Sequence, residues 1–73
     1  MPTAQTPAYW LRQRAGDPGT IRLNATEAAM IAQRPDAVGN YLSNAGLVWR
    51  ERDPDAHGGW AHYTITPVFE DRT

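Results

Sequence analysis

With 73 residues the chain holds one small domain, since a chain this short buries only about 60% of its unfolded surface and has no material for two cores. The absence of cysteine excludes a disulfide scaffold and thiolate metal ligation, and fits a reducing compartment. The net charge of −1 conceals an uneven distribution: residues 1–23 are positive, with Arg12, Arg14 and Arg22 against Asp17, whereas residues 24–66 and the last seven are negative.

Met1 to Pro7 carries two prolines, two threonines and no hydrophobic period, and reads as a flexible N-terminal arm, 1–7, that can order on a partner. The start has neither an apolar run nor a basic n-region, so no secretory leader is expected. The longest apolar run, Ala28 to Ala32, is far too short to cross a bilayer. A soluble, cytoplasmic protein is the expectation. From Ala8 to Ala15 the pattern AYWLRQRA is compatible with a short helix, with Tyr9 or Trp10 and Leu11 on the core side and Arg12 and Arg14 in water. Gly16-Asp17-Pro18-Gly19 ends it. Thr20 to Leu23 alternates apolar and polar residues and suits a short strand that could add to a later hairpin.

Asn24 and Glu27 have capping-box spacing, so a helix is expected from Ala25, with Ala28, Ile31 and Ala32 forming a narrow inward face of small residues. Gln33-Arg34 makes a turn, Pro35 suits the first position of another helix, and Asp36 suits its positive end. Val38, Tyr41, Leu42 and Ala45 then fall at i, i+3, i+4 and i+7, which predicts an amphipathic second helix closed by a left-handed Gly46. Leu47 to Asp53 and Trp60 to Thr66 both alternate, with turn-forming residues between them, and predict a hairpin. Val48, Tyr63 and Ile65 are its expected inward set, with Trp49, Trp60 and His62 partly exposed. Pro67 is expected to end the ladder, since it has no amide to donate. The domain would span 8–69, followed by an acidic tail, 70–73.

The segments NATEAAMIAQ, RPDAVGNYLSNAGLVWRE and WAHYTITP, in this order, resemble the winged helix-turn-helix family of bacterial and phage regulators. The resemblance covers Asn24 to Thr66 and implies an α+β fold of three short helices plus a β-hairpin wing, with a short third strand beside it. Packing motifs of this kind specify a scaffold more strongly than a ligand.

Two functions follow from it. In family members that bind DNA, the second helix of the motif enters the major groove and the wing meets the backbone. Here that implies Asp36, Asn40, Ser43 and Asn44 on the reading face, Arg34 at the turn, and Arg50 and Arg52 on the wing, as in a sequence-specific repressor or an excisionase-like protein. Yet phosphate neutralisation supplies most DNA affinity, and the implied reading helix has no cation. Its wing tip, Asp53-Pro54-Asp55, is acidic. Protein binding is therefore the expected use, with RNA polymerase or another transcription protein as partner. In size and composition the chain is similar to the small phage inhibitor and antitermination proteins that bind a host's RNA polymerase and change initiation or termination. Tyr9 and Trp10 beside Arg12 and Arg14 supply the residue types enriched at interface hot spots. In so small a domain, Tyr9, Trp10, Trp49 and Trp60 also have plain packing roles.

No enzyme, cofactor or small-molecule substrate is expected. Asp53, Asp55, His57 and His62 match neither an EF-hand loop nor a zinc motif, and Ser43, the lone serine, has no base near it in sequence.

Overall fold

Along Tyr9–Arg14, Trp10, Arg12 and Arg14 alternate with Tyr9, Leu11 and Gln13, and in the computed structural model this segment is a strand, β1, and not a helix. The model describes residues 6–70. As a strand these residues gain backbone partners on both sides, from the segments that pair with them at Thr20 to Leu23 and at Tyr63 to Val68. The turn that follows is set by Gly16, at φ +87°, and by the Asp17 carboxylate accepting from the Gly19 amide at 2.9 Å. It returns the chain into β2, Thr20–Leu23, which runs antiparallel to β1 with Trp10 opposite Leu23 and Arg12 opposite Ile21. The strand expected at Thr20 to Leu23 is thus present, but it pairs with β1 and not with the later hairpin.

Helix α1, Ala25–Ala32, forms as its sequence predicts. Asn24 Oδ1 accepts from the Glu27 amide at 2.8 Å, and Glu27 Oε1 accepts from the Asn24 amide at 2.9 Å. Two amides at the helix start are thereby satisfied without tertiary help. Ala28 is fully buried, and Ile31 and Ala32 pack against the core. Small side chains on this face let the helix lie close to the sheet beneath it.

The second helix does not form, and with it the winged helix-turn-helix reading falls. Between Asp36 and Ala45 the chain makes a two-residue strand, β3 (Val38–Gly39), and then two successive turns. Gly39 has φ +113°, which is incompatible with a helix. The Asn40 side chain accepts from the Leu42 amide at 2.9 Å and the Ser43 hydroxyl from the Ala45 amide at 3.2 Å. Such local bonds offer the backbone an alternative to helical pairing. The apolar spacing was misleading: Val38 and Leu42 are exposed, and only Tyr41 and Ala37 meet the core. Gly46 is left-handed at φ +79°, as expected of it, but it ends a turn instead of a helix.

The hairpin is present. Strand β4, Leu47–Arg52, pairs antiparallel with β5, Trp60–Val68, and the tip between them turns tightly at His57–Gly59. β5 also pairs along its length with β1, so the five strands form one antiparallel sheet in the order β2-β1-β5-β4-β3. Pro67 does not end β5; it lies within it, opposite Trp10. Ala15 donates to the His62 carbonyl at 2.8 Å, and alternation along an antiparallel ladder makes the Trp10–Pro67 pair, five residues away, one without hydrogen bonds. On its other side β4 stops short of this position, so no bond is forfeited there either.

The sheet has two unlike faces. One, the inner face, carries Trp10, Leu23, Leu47, Trp49 and Ile65, all buried, under α1 and the Tyr41 turn. Here Trp49 is inward and Val48 outward, the reverse of the expected phase on β4, because Trp49 stacks on Tyr63 with centroids 5.4 Å apart. A one-residue shift of phase exchanges every side chain on a strand between faces. The other, outer face has no element packed across it among the described residues.

Candidate nucleic-acid interface

Register alone decides what the outer face displays. From β1 and β2 it carries Tyr9, Leu11, Gln13, Thr20 and Arg22; from β3 and β4, Val38, Val48, Arg50 and Arg52; from β5, Trp60, His62, Thr64, Thr66 and Val68. None of these strand positions is Asp or Glu. Three guanidiniums and a histidine thus share an uncovered surface on a protein whose net charge is −1.

Five carboxylates are engaged at positions other than these outer-face ones. Glu27 caps α1, and Asp17 holds the β1–β2 turn. Asp53 receives Arg14 at 2.8 Å through one oxygen and the Asp55 amide at 3.0 Å through the other. Glu51 accepts from the Trp49 indole at 3.0 Å and lies 3.7 Å from Arg34. Asp36, at the rim beside β3, pairs with Arg34 at 3.2 Å. Partial desolvation pushes its carboxyl up, but the amides of Asp36 and Arg50 and the Arg34 guanidinium outweigh it and hold the carboxyl below the ordinary carboxylate range.

Two aromatic and arginine platforms stand on the outer face. At one end the Arg22 guanidinium lies 3.8 Å from the centre of the Tyr9 ring. At the other, Arg50 and Arg52 lie 4.1 and 4.9 Å from the centre of the Trp60 ring. Tyr9 is opposite Val68, eight residues along β5 from Trp60, so at ~3.3 Å per residue the platforms are separated by roughly 26 Å along the strand direction. Between them run Thr64, Thr66 and Leu11, half-buried, and the exposed Gln13 and His62. Beside Arg50, a shallow depression is lined by Asp36, Val48, His62 and Thr64.

The residues singled out from the sequence are dispersed by this fold. Tyr9 is on the outer face, Trp10 is buried in the core, and Arg12 and Arg14 lie on the inner face, so the four do not form one patch. Arg50 and Arg52 are together on the outer face. Arg34 is bound to Asp36 and Glu51 beyond α1, while Asn40 and Ser43 hold turns and Asn44, next to Ser43, is exposed. Residues 1–5 of the N-terminal arm and 71–73 of the tail lie outside the described residues; Pro7 is buried, and Ala8 donates to the Val68 carbonyl at 2.8 Å. No group of three or more His, Asp or Glu side chains is arranged to hold a metal ion among the described residues.

From the sequence Arg22 carries no expected role, and Trp60 and His62 are expected only as partly exposed residues of the hairpin, with packing as the plain role of Trp60. A signal exists for part of the outer face. In the hairpin that the sequence correctly places, Arg50 and Arg52 share a phase with Trp60 and His62, and that phase has no acid. Arg22 and Tyr9 have no such signal, since the pattern AYWLRQRA is equally compatible with a helix.

No protein-family model, curated protein or solved structure matches this chain. No helix among the described residues is long and apolar enough to cross a membrane.

Proposed function

We propose that the protein binds single-stranded nucleic acid across the outer face of its sheet. The observation that carries this is the coincidence, on one uncovered face, of three arginines without a carboxylate and two aromatic rings already stacked by guanidinium groups. Guanidiniums neutralise phosphates, and aromatic rings and arginine planes accept unstacked bases whatever their identity. A duplex offers no free base faces, and among the described residues helix α1 carries no cation to meet a groove. Within this proposal, control of transcription, the role expected from the sequence, runs through contact with a transcript or an opened duplex in the cytoplasm.

The test is fluorescence anisotropy of the full chain with labelled 12-nucleotide oligo(dT) and oligo(U), and with a duplex of the same length, at two salt concentrations. Single strands are expected to bind more tightly than the duplex, with affinity falling as salt rises. Trp60→Ala should weaken binding roughly 5- to 150-fold, the range for loss of one stacked base. Equal affinity for duplex and single strands, or a Trp60→Ala protein that binds as wild type, would overturn the proposal.

A further inference from the structure

Helix α1 and the Tyr41 turn cover only one half of the inner face. The other half is an open cleft of about 290 Å³, lined by Arg12, Arg14, Asp17, Thr20, Ile21 and Tyr63. Its floor is the Tyr63 ring, itself backed by Trp49. One wall is Ile21, a large apolar side chain left 50% exposed, directly opposite Arg12 in the β1–β2 register. The two arginines differ. Arg14 is held by Asp53, so it frames the cleft. Arg12 is half-buried, lies 5.2 Å from the centre of the Tyr63 ring, and has no carboxylate within ion-pair distance among the described residues.

From this combination we infer a second binding site, on the face opposite the nucleic-acid surface, for a small planar organic anion: an aromatic ring bearing a phosphate, carboxylate or sulfonate. The Arg12 guanidinium supplies the counter-charge, and its planar fork suits a two-oxygen acceptor. The Tyr63 ring and Ile21 receive the flat apolar body. A volume near the lower end for ligand pockets fits a single ring with its anionic group and not an extended chain. Asp17 stands at the rim with its carboxylate engaged by the Gly19 amide. Its charge opposes the anion, which sets the expected affinity low and makes it adjustable.

The experiment is a titration of the full chain, followed by two-dimensional NMR of the arginine Nε–H and backbone amide signals, with phenyl phosphate, benzoate, inorganic phosphate and neutral benzyl alcohol. Phenyl phosphate or benzoate should shift Arg12, Ile21 and Tyr63 saturably, inorganic phosphate more weakly and benzyl alcohol hardly at all. Whichever of the two aromatic anions binds more tightly identifies the head group. Arg12→Gln should reduce affinity at least 10-fold while the spectrum stays dispersed. Asp17→Asn, which keeps the oxygen that accepts from Gly19 but removes the charge, should tighten binding severalfold. Shifts spread equally over Arg22, Arg50 and Arg52 would show unspecific anion attraction and overturn the site. So would an Arg12→Gln or Asp17→Asn protein, shown folded by its spectrum, that binds as wild type. Because Arg12, Asp17, Ile21 and Tyr63 are not among the outer-face residues, this result is independent of the oligonucleotide measurements.

Discussion

The Trp10 indole N–H donates to the backbone carbonyl of Tyr41 at 2.6 Å, and the two rings lie 5.8 Å apart at a tilt of 35°. The contact joins the second residue of β1 to the turn leading into β4, 31 positions later. It closes one end of the core and fixes the segment that the sequence alone presents as helical. Trp10→Phe retains most of the ring but leaves the Tyr41 carbonyl without its partner, and is expected to destabilise by about 1–3 kcal/mol. Trp10→Ala also opens a cavity and should cost about 3–5 kcal/mol. Urea unfolding followed by circular dichroism measures both, and a Trp10→Phe protein as stable as wild type would contradict the hydrogen-bond assignment.

A backbone comparison tests the turn before β4. At Gly46, φ is +79° and an added Cβ would run into the Ile65 carbonyl oxygen of the neighbouring strand; at Gly58, φ is +80° and the space is open. Gly58→Ala should therefore lose only the left-handed backbone term, about 1–2 kcal/mol. Gly46→Ala carries that term plus a clash with rigid backbone, so its urea midpoint should fall well below that of Gly58→Ala.

Asn24→Ala removes the capping acceptor from an eight-residue helix and is expected to lower stability by about 1 kcal/mol, with Asn24→Gly losing only a few tenths. Chemical denaturation of the pair distinguishes a capping role from simple loss of side-chain volume, which would make glycine the worse substitution.

Acid should weaken the Asp36 contacts in a defined direction. The folded carboxyl is held below its ordinary value of 3.8, so the stabilisation is present above that value and is lost as pH falls through the lower folded pKa. Asp36→Asn should flatten this acidic limb of the stability profile while leaving the profile near neutrality parallel to wild type. An unchanged acidic limb would show that Asp36 has no part in it.

For the proposed nucleic-acid surface, three phosphate contacts by Arg22, Arg50 and Arg52 predict a slope of about −2 in log affinity against log salt for single strands. Each Arg→Ala change should make the slope shallower by about 0.7. Because the platforms are roughly 26 Å apart along the strands, a 4-nucleotide oligomer reaches only one of them and should bind much more weakly than a 12-mer. Equal affinities per oligomer would place the whole interaction at a single platform.

By itself the sequence determined those parts of the protein whose physics is local. The Asn24 and Glu27 cap completes itself within four residues, Ala28, Ile31 and Ala32 define a helix face by spacing, and the alternation on either side of Pro54 to Gly59 makes a hairpin wherever it is placed. The absence of any cation from residues 36–45 was legible too, although those residues proved to be turns. Tertiary structure decided the remainder. Tyr9 to Arg14 is a strand because β2 and β5 satisfy its backbone on both sides, a reward that lies outside its own six residues. Val38 to Ala45 is not a helix because Asn40 and Ser43 bond to neighbouring amides and Gly39 occupies a conformation closed to helices, and apolar spacing registers neither. The outer face, where Arg22 meets Tyr9 and Arg50 and Arg52 meet Trp60, exists only through strand register: pairing fixes which alternate side chains point together, and no single segment contains that information.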